Sequence, residues 1–152
     1  MTQTLLITGA STGIGAATAR AAAEAGWQVA LLARSQDELD SLAGEIGERA
    51  LALPCDVTDR AALNAAVDRA VDHFGGLDAV FANAGKGVSS PGIEQGVPAE
   101  WDEMIQLNVM AVLSTAHAPL PHLRKTKGHF VVTGSKAGRD HLKGSVYGAT
   151  KW

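Results

Sequence analysis

Tyr147 and Lys151 lie four residues apart near the C-terminal end of the sequence. On a helix, this spacing places a phenol and an ammonium group beside each other on one face. The positive charge favours the phenolate, so a tyrosine in this setting can donate or accept a proton near neutral pH. The same spacing also occurs in ordinary solvated side-chain pairs. The pair therefore indicates acid–base chemistry only if other parts of the chain support it.

A glycine-rich loop follows the first predicted strand, which covers Thr4 to Thr8. The loop has the pattern Thr-Gly-x-x-x-Gly-x-Gly and leads into an alanine-rich helix that ends near Gly26. Its glycines would allow a tight turn, the close approach of a pyrophosphate, and the packing of the helix on the strand. Its amides would point at the phosphates from the start of the helix. The simpler alternative is a glycine-rich turn that binds nothing.

Further strands and helices alternate along the chain. Apolar runs predict strands over residues 28–33, 50–53, 77–82 and 129–133. Ser35 and Glu38 have the spacing of a capping box, which predicts a helix over residues 36–48. Thr58 or Asp59 is expected to cap a helix that runs to His73.

The second half of the chain continues this alternation. A helix is predicted from Pro98 onward, and Pro119 and Pro121 should kink or end it. A last helix should begin near Ser145. Together these elements predict an α/β fold with a Rossmann-like, doubly wound parallel sheet of about five strands and helices on both faces, in one domain over residues 1–152. In such sheets, ligands bind beyond the carboxyl ends of the strands.

Composition narrows the classes of function. The 152 residues carry a net charge of −3, which gives no electrostatic reason to expect nucleic acid or an acidic membrane as a partner. A single cysteine, Cys55, and the lack of a signal-peptide pattern favour the cytoplasm. No apolar run is long enough to span a bilayer. His117 and His122 are poorly spaced for shared coordination, so no metal site is predicted.

The glycine loop, together with Asn83-Ala84-Gly85 and Tyr147-x-x-x-Lys151, resembles the short-chain dehydrogenase/reductase family in its single-domain oxidoreductase branch. These motifs occur in the order of the family and extend over nearly the whole chain. The resemblance implies hydride transfer between a nicotinamide dinucleotide and a small-molecule carbonyl compound or secondary alcohol. The residues that it implies for cofactor binding are Gly9, Ser11, Thr12, Gly13, Ile14, Gly15, Arg34, Asp56, Val57, Asn83, Ala84, Gly85, Tyr147 and Lys151.

The resemblance also implies four catalytic residues. Tyr147 would be the proton donor or acceptor, and Lys151 would favour its phenolate and bind the nicotinamide ribose. Ser135 would hydrogen-bond the substrate oxygen, and Asn108 would hold a water that extends a proton relay from Lys151. Seen alone, Ser135 is equally a capping serine and Asn108 a polar residue on a helix face.

Two parts of the predicted cofactor site have implied roles of their own. Asp56 would hold the adenine edge, whereas Asn83 to Gly85 would line the cofactor floor and steady the sheet. Asp56 could instead be an acid that flanks a helix, and Asn83 a turn residue at the end of a strand.

The choice of cofactor is predicted from charge. Ala33 ends the second strand where NAD-binding relatives usually place an acid for the ribose hydroxyls, and Arg34 follows it. A guanidinium can bind a 2′-phosphate with paired hydrogen bonds, which an acid would repel. NADP(H) is therefore favoured, with NAD(H) as the alternative. Arg34 could also be an ordinary solvated residue.

The sequence departs from the family in two ways. Ser135 and Tyr147 are twelve positions apart, one fewer than is usual, so the loop from Gly138 to Gly144 must close differently or the serine is displaced. Relatives also continue beyond the tyrosine helix with further strands and a segment that covers the substrate, so we expect a fragment of a longer chain. The alternatives to an enzyme are a non-catalytic dinucleotide-binding module and an inactive fragment. The full-length form is expected to be a homo-oligomer.

Overall fold

The computed structural model describes residues 2–87, 92–140 and 144–151. Its five strands pair in parallel in the order β3-β2-β1-β4-β5. The strands are β1 (Thr4–Thr8), β2 (Gln28–Ala33), β3 (Ala50–Pro54), β4 (Ala79–Ala82) and β5 (His129–Val132). The chain moves outward from β1 to β3 and then returns to the other side of β1, which creates a switch point between β1 and β4. The predicted Rossmann-like sheet is confirmed.

Helices connect the strands and cover the sheet. They are α1 (Gly13–Glu24), α2 (Gln36–Ile46), α3 (Arg60–Phe74), α4 (Pro98–Ile105), α5 (Ala111–His117), α6 (Leu120–Thr126) and α7 (Val146–Thr150). A π-helical segment, Gln106–Met110, joins α4 to α5, and a short 3₁₀ helix, Lys136–Gly138, follows β5. None of the helices in the described ranges combines the length and the apolar character that a bilayer crossing requires.

The sheet separates two hydrophobic cores. Leu6 of β1 packs with residues of α3, whereas the next residue, Ile7, packs with residues of α1 and α2. Leu31 and Leu32 of β2 divide in the same way, and all four side chains are fully buried. Successive side chains of a strand point to opposite faces, so a strand that is apolar throughout is covered on both sides. Helices therefore lie on both faces, as predicted.

The predicted capping box at α2 is wrong. Ser35 occupies the N-cap position, but its side chain makes no capping hydrogen bond. Residues 34–38 are all exposed, so water can satisfy the first amides of this helix, and Asp37 and Glu38 complement its dipole. The helix also ends at Ile46 rather than at residue 48, because Gly47 adopts a φ of +82°.

Other boundaries agree with the sequence within one or two residues. Asp59, rather than Thr58, caps α3 by accepting hydrogen bonds from the amides of Ala61 and Ala62. β4 begins two residues later than predicted, because the Asp78 carboxylate accepts the Thr4 amide at 2.8 Å where a strand carbonyl would otherwise do so.

The predictions for the chain after β4 agree with the structure only in part. The predicted break near Pro119 is confirmed, since α5 ends before it and α6 begins after it. The π-helical segment between α4 and α5 has no counterpart in the sequence prediction. β5 is the edge strand of the described sheet, and Val131 and Val132 are about half exposed there, at 52% and 47%.

Candidate active site

The glycine loop between β1 and α1 is folded so tightly that two of its glycines have no room for a side chain. A Cβ atom on Gly15 would lie 2.1 Å from the carbonyl oxygen of Gly9, and one on Gly9 would lie 2.9 Å from Cα of Ala84. Gly9 and Gly13 also have positive φ angles, of +65° and +55°. The loop therefore makes the tight turn and the close packing of α1 that the motif predicts, whereas the approach of a pyrophosphate stays a prediction.

Asn83 ties the ends of three strands together below this loop. Its side-chain amide donates to the carbonyls of Thr8 and Gly9, both at 3.2 Å, and its Oδ1 accepts from the hydroxyl of Thr133 at 2.9 Å. The Thr8 hydroxyl in turn accepts from the amides of Asn83 and Ala84, at 3.0 and 3.1 Å. These contacts fix the carboxyl ends of β1, β4 and β5 relative to one another. The side chain of Asn83 is thus more than a turn residue.

A cleft of about 1180 Å³ lies above these strand ends. Twelve of the predicted site residues line it: Gly9, Ser11, Thr12, Ile14, Arg34, Asp56, Val57, Asn83, Ala84, Gly85, Tyr147 and Lys151. Four do not. Gly13 and Gly15 form the first turn of α1, and Asn108 and Ser135 lie outside the cleft lining. The cleft is thus lined by residues from near both ends of the chain and by residues that follow β2 and β3.

Tyr147 and Lys151 reach the cleft from α7. The hydroxyl of Ser145 caps this helix by accepting from the amide of Gly148 at 2.9 Å. Nζ of Lys151 donates to the carbonyl of Thr133, at the end of β5, at 3.3 Å. The same atom lies 3.5 Å from the position that a Cβ on Gly85 would occupy. Lys151 is thus held between the ends of β4 and β5.

Asn108 is 5% exposed and lies in the π-helical segment. Its Oδ1 accepts from the Lys86 amide at 2.9 Å, and its Nδ2 donates to the Lys86 carbonyl at 2.8 Å and to Oγ1 of Thr150 at 3.0 Å. Such single-turn π segments often occur at functional sites. Here the segment brings the amide between the strand-end loop and α7. The role in a water relay stays a prediction.

Ser135 adopts the capping geometry that the sequence left open. Its Oγ accepts from the Ala137 amide at 3.1 Å and begins the 3₁₀ helix. This helix packs on α7, because a Cβ on Gly148 would lie 3.2 Å from the Ala137 carbonyl oxygen. The predicted rearrangement of the loop from Gly138 to Gly144 falls in part on residues 141–143, which lie outside the described residues.

Three ionisable residues that line the cleft have different surroundings. The Thr58 amide and hydroxyl hydrogen-bond Asp56 and hold the pKa of its carboxyl below the usual value, with a smaller contribution from the charge of Arg34. Arg34 itself is exposed and forms no hydrogen bond or ion pair with any residue in the described ranges. Burial raises the pKa of the Cys55 thiol to about 11, so this thiol stays protonated near neutral pH.

A charged pair on the cleft wall has no counterpart among the residues predicted from the sequence. Lys86 forms an ion pair with Glu103 of α4, and both residues line the cleft. The hydrogen bond from Lys86 is the main cause of a lowered Glu103 pKa. Lys86 could have been noticed as the residue directly after Asn83-Ala84-Gly85. Across residues 2–87, 92–140 and 144–151, no three His, Cys, Asp or Glu side chains are grouped as metal ligands.

The model of the short chain dehydrogenase family matches residues 3–152. The chain belongs to this family. It is 40% identical over 154 residues to an uncharacterized oxidoreductase of Listeria monocytogenes, covering 97% of this chain. It is 36% identical to the serine 3-dehydrogenase of Agrobacterium fabrum, covering 99% of this chain. In both cases, the match spans 61% of the relative's length.

Solved structures of the family show the same fold. An alcohol dehydrogenase from the archaeon Thermococcus sibiricus, complexed with 5-hydroxy-NADP, superposes with a TM-score of 0.94 at 35% identity. A 3-ketoacyl-(acyl-carrier-protein) reductase from Brucella melitensis, complexed with NADH, superposes with a TM-score of 0.92 at 32% identity. This short-chain dehydrogenase chain covers 66% and 64% of those two chains, and they cover 100% and 98% of it. The family and fold predicted from the motifs are confirmed.

Proposed function

We propose that this protein is an NADP(H)-dependent oxidoreductase that interconverts a carbonyl group and a secondary alcohol, with Tyr147 as general acid and base. One observation carries the proposal: Tyr147 and Lys151, from the end of the chain, line the same cleft as Gly9, Ser11 and Thr12 from its beginning. A cleft lined by a glycine-rich loop suited to phosphates, a phenol and an ammonium group has the parts that this chemistry needs.

The loop suits a dinucleotide diphosphate. Thr12 stands at the N-cap of α1, but its side chain makes no capping hydrogen bond. The first amides of a helix have no partner within it, so those of α1 are left for an anion. Because Gly9, Gly13 and Gly15 carry no side chains, none of these residues would keep the phosphates away from the loop backbone. The two solved relatives named above hold NADH and an NADP derivative, which supports a nicotinamide dinucleotide here. When bound, that cofactor would supply or accept the hydride.

Residues of the protein itself would transfer the proton. Tyr147 Oη would give its proton to the substrate oxygen during reduction and take it back during oxidation. Lys151, anchored on the Thr133 carbonyl, would place a positive charge where negative charge develops. Ser135 lies outside the cleft lining, and its proposed role is to donate a hydrogen bond to the substrate oxygen: its Oγ accepts from the Ala137 amide, and its hydrogen is donated to none of the described residues.

The preference for NADP(H) is proposed from Ala33 and Arg34, both on the cleft wall. Ala33 has no carboxylate to repel a 2′-phosphate. Arg34 is exposed and has no ion-pair partner among the described residues, so its guanidinium is free for paired hydrogen bonds with a phosphate.

We also propose that the complete protein is a homo-oligomer that associates through the helices around Asn108. Ile105 and Leu113, on either side of the π-helical segment, are 41% and 60% exposed. Contiguous exposed apolar patches are typical of interfaces, and we propose that these two side chains belong to one. Light scattering on the complete protein would test this proposal, and a monomer at micromolar concentration would contradict it.

The test of function compares the chain with the complete product of the open reading frame that contains it. NADPH and NADH are titrated against both forms, and both are assayed with a panel of ketones and aldehydes. We expect NADPH to bind more tightly than NADH, and Tyr147→Phe to abolish turnover while leaving NADPH binding intact. Turnover that survives Tyr147→Phe would refute the proposed role of the tyrosine.

Two further results would be decisive. Dinucleotide binding without turnover in the complete protein would favour a non-catalytic binding module. We expect Lys151→Met to lower kcat, since the positive charge proposed to stabilise developing negative charge would be lost. An unchanged kcat in Lys151→Met would refute the proposed role of the lysine.

A further inference from the structure

We infer that the Thr150 hydroxyl is a positioning group that fastens the tyrosine helix to the buried amide of Asn108 and so holds Tyr147 and Lys151 toward the cleft. Its catalytic consequence depends on the function proposed above. Thr150 does not line the cleft itself, and its influence would pass through the residues on either side of it.

The direction of each hydrogen bond follows from the Lys86 backbone. A backbone amide can only donate, so the atom of Asn108 that faces the Lys86 amide at 2.9 Å must be the oxygen. The amide nitrogen of Asn108 then faces the Lys86 carbonyl and Oγ1 of Thr150, and it donates to both. Thr150 therefore accepts from Asn108, and its single hydrogen is left for the carbonyl of Tyr147, at 2.8 Å.

Only part of this arrangement is ordinary helix geometry. A threonine hydroxyl often donates to a carbonyl three or four residues earlier in its own helix. The bond from Asn108 is different, because it joins residues 42 positions apart and involves a side chain that is 5% exposed. Loss of the Thr150 hydroxyl would leave one N–H of this buried amide without its acceptor. The local bond alone would carry no such cost.

The helix needs this attachment because it is short. α7 has five residues, too few to be stable without packing. Its start is held by the Ser145 cap and by the contact of Gly148 with Ala137. Its end is held by Thr150 through Asn108 and by Lys151 through Thr133.

The contacts form a closed ring of which the Lys151 ammonium is one member. Thr150 binds Asn108, Asn108 binds the backbone of Lys86, and the preceding residue, Gly85, faces Lys151 Nζ. Lys151 then follows Thr150 in the chain. A displacement at Thr150 would thus reach the Lys151 ammonium along two routes, through the chain and through Asn108.

Three variants of the complete protein test the inference. Thr150→Val removes the hydroxyl and keeps the shape, whereas Thr150→Ser keeps the hydroxyl. Thr126→Val is the matched control, because the Thr126 hydroxyl donates to the Leu77 carbonyl at 2.8 Å, far from the cleft lining. We expect Thr150→Val to lower kcat on the order of 10-fold to 100-fold with little change in KM, since a misplacement of about 1 Å can cost a factor of about 100.

We expect Thr150→Ser to restore kcat to within about threefold of the wild type, because it rebuilds both hydrogen bonds. Thr126→Val should lower thermal stability without a comparable loss of kcat. The inference would be overturned by wild-type kcat in Thr150→Val, by equal losses in the Val and Ser variants, or by an equal loss in Thr126→Val.

Hydrogen exchange supplies a measurement that does not require turnover. The Lys86 amide donates to Asn108, so Thr150→Val should speed exchange at Lys86 and in α7, while Thr150→Ser and Thr126→Val should not. A wild-type protein that binds NADPH but turns over no carbonyl compound or alcohol would refute the proposed function. In that case, unchanged exchange at Lys86 in Thr150→Val would separately refute the attachment through Asn108.

Discussion

Replacement of Gly15 by alanine should destabilise the protein, although alanine is the better helix former. Gly15 lies in α1, where the exchange would ordinarily stabilise by about 1 kcal/mol. The new Cβ, however, would lie 2.1 Å from the Gly9 carbonyl oxygen and 2.9 Å from Nδ2 of Asn83. Gly9 cannot easily retreat, because it adopts a φ of +65° and is itself packed against Ala84.

The expected size of the effect follows from these distances. An ordinary contact between non-bonded heavy atoms is about 3.5 Å, so the loop must shift by more than an ångström. Forcing extra atoms into a packed site costs typically about 1–3 kcal/mol. We expect a cost near the upper end of this range for Gly15, because the atom that must move belongs to the backbone of Gly9. After subtraction of the gain in helix propensity, Gly15→Ala should lower the free energy of unfolding by about 2 kcal/mol.

Gly44 provides the control, because it is an exposed glycine inside α2 with no atom within 4 Å of a new Cβ. Gly44→Ala should raise the free energy of unfolding by about 0.5–1 kcal/mol. Calorimetry should therefore show Tm changes of opposite sign, with a fall of about 4–8 °C for Gly15→Ala. NADPH titration should show weakened binding only for Gly15→Ala. Equal Tm changes for the two variants, or unchanged NADPH binding in Gly15→Ala, would refute the reasoning about the loop.

Three other changes test the charges around the cleft. Ala33→Asp should shift the ratio of the NADPH and NADH dissociation constants toward NADH by about tenfold or more, because a carboxylate would repel the 2′-phosphate. The uncharged variant Ala33→Asn should leave this ratio unchanged, and an equal shift in both variants would contradict the electrostatic reason. Asp56 has a lowered pKa in the folded state, so its stabilising contribution is present above the ordinary carboxyl pKa of about 4 and is lost as the pH falls through the lower folded value. Urea unfolding across this acid range should show a smaller pH dependence for Asp56→Asn, and an unchanged dependence would contradict the assigned contacts with Thr58. Glu103→Gln should strengthen NADPH binding at low salt by releasing Lys86 and removing a negative charge from the cleft wall, and the gain should shrink at high salt; a gain that is independent of salt would argue against an electrostatic cause.

The sequence predicted the sheet well because its signals are local. Each strand is a short apolar run, and the break near Pro119 follows from the covalent geometry of proline. The β4 boundary was missed because the bond between Asp78 and Thr4 joins residues 74 positions apart. The prediction of a side-chain cap from Ser35 was wrong for a related reason, since exposure of the helix start to water is set by the surrounding fold.

The candidate site likewise contains residues that the sequence could identify and residues that it could not. The motif residues Gly9, Asn83 and Tyr147 could be named in advance, and the structure brings all three to one cleft. Thr150 could not be named, because its importance arises only when the π-helical segment brings Asn108 within hydrogen-bond distance of it. One extra residue in a helical turn leaves no periodic signal in the sequence.

The Asn83 side chain also has a consequence for how the protein is made. Its bonds to Thr8 and Gly9 reach back 75 and 74 residues, and its bond from Thr133 reaches forward 50 residues. Contacts between such distant parts of a chain form slowly, because a long loop must close before these contacts can stabilise the fold. The glycine loop therefore leaves the ribosome early, but the Asn83 amide can hold it only after β4 has been synthesised and docked.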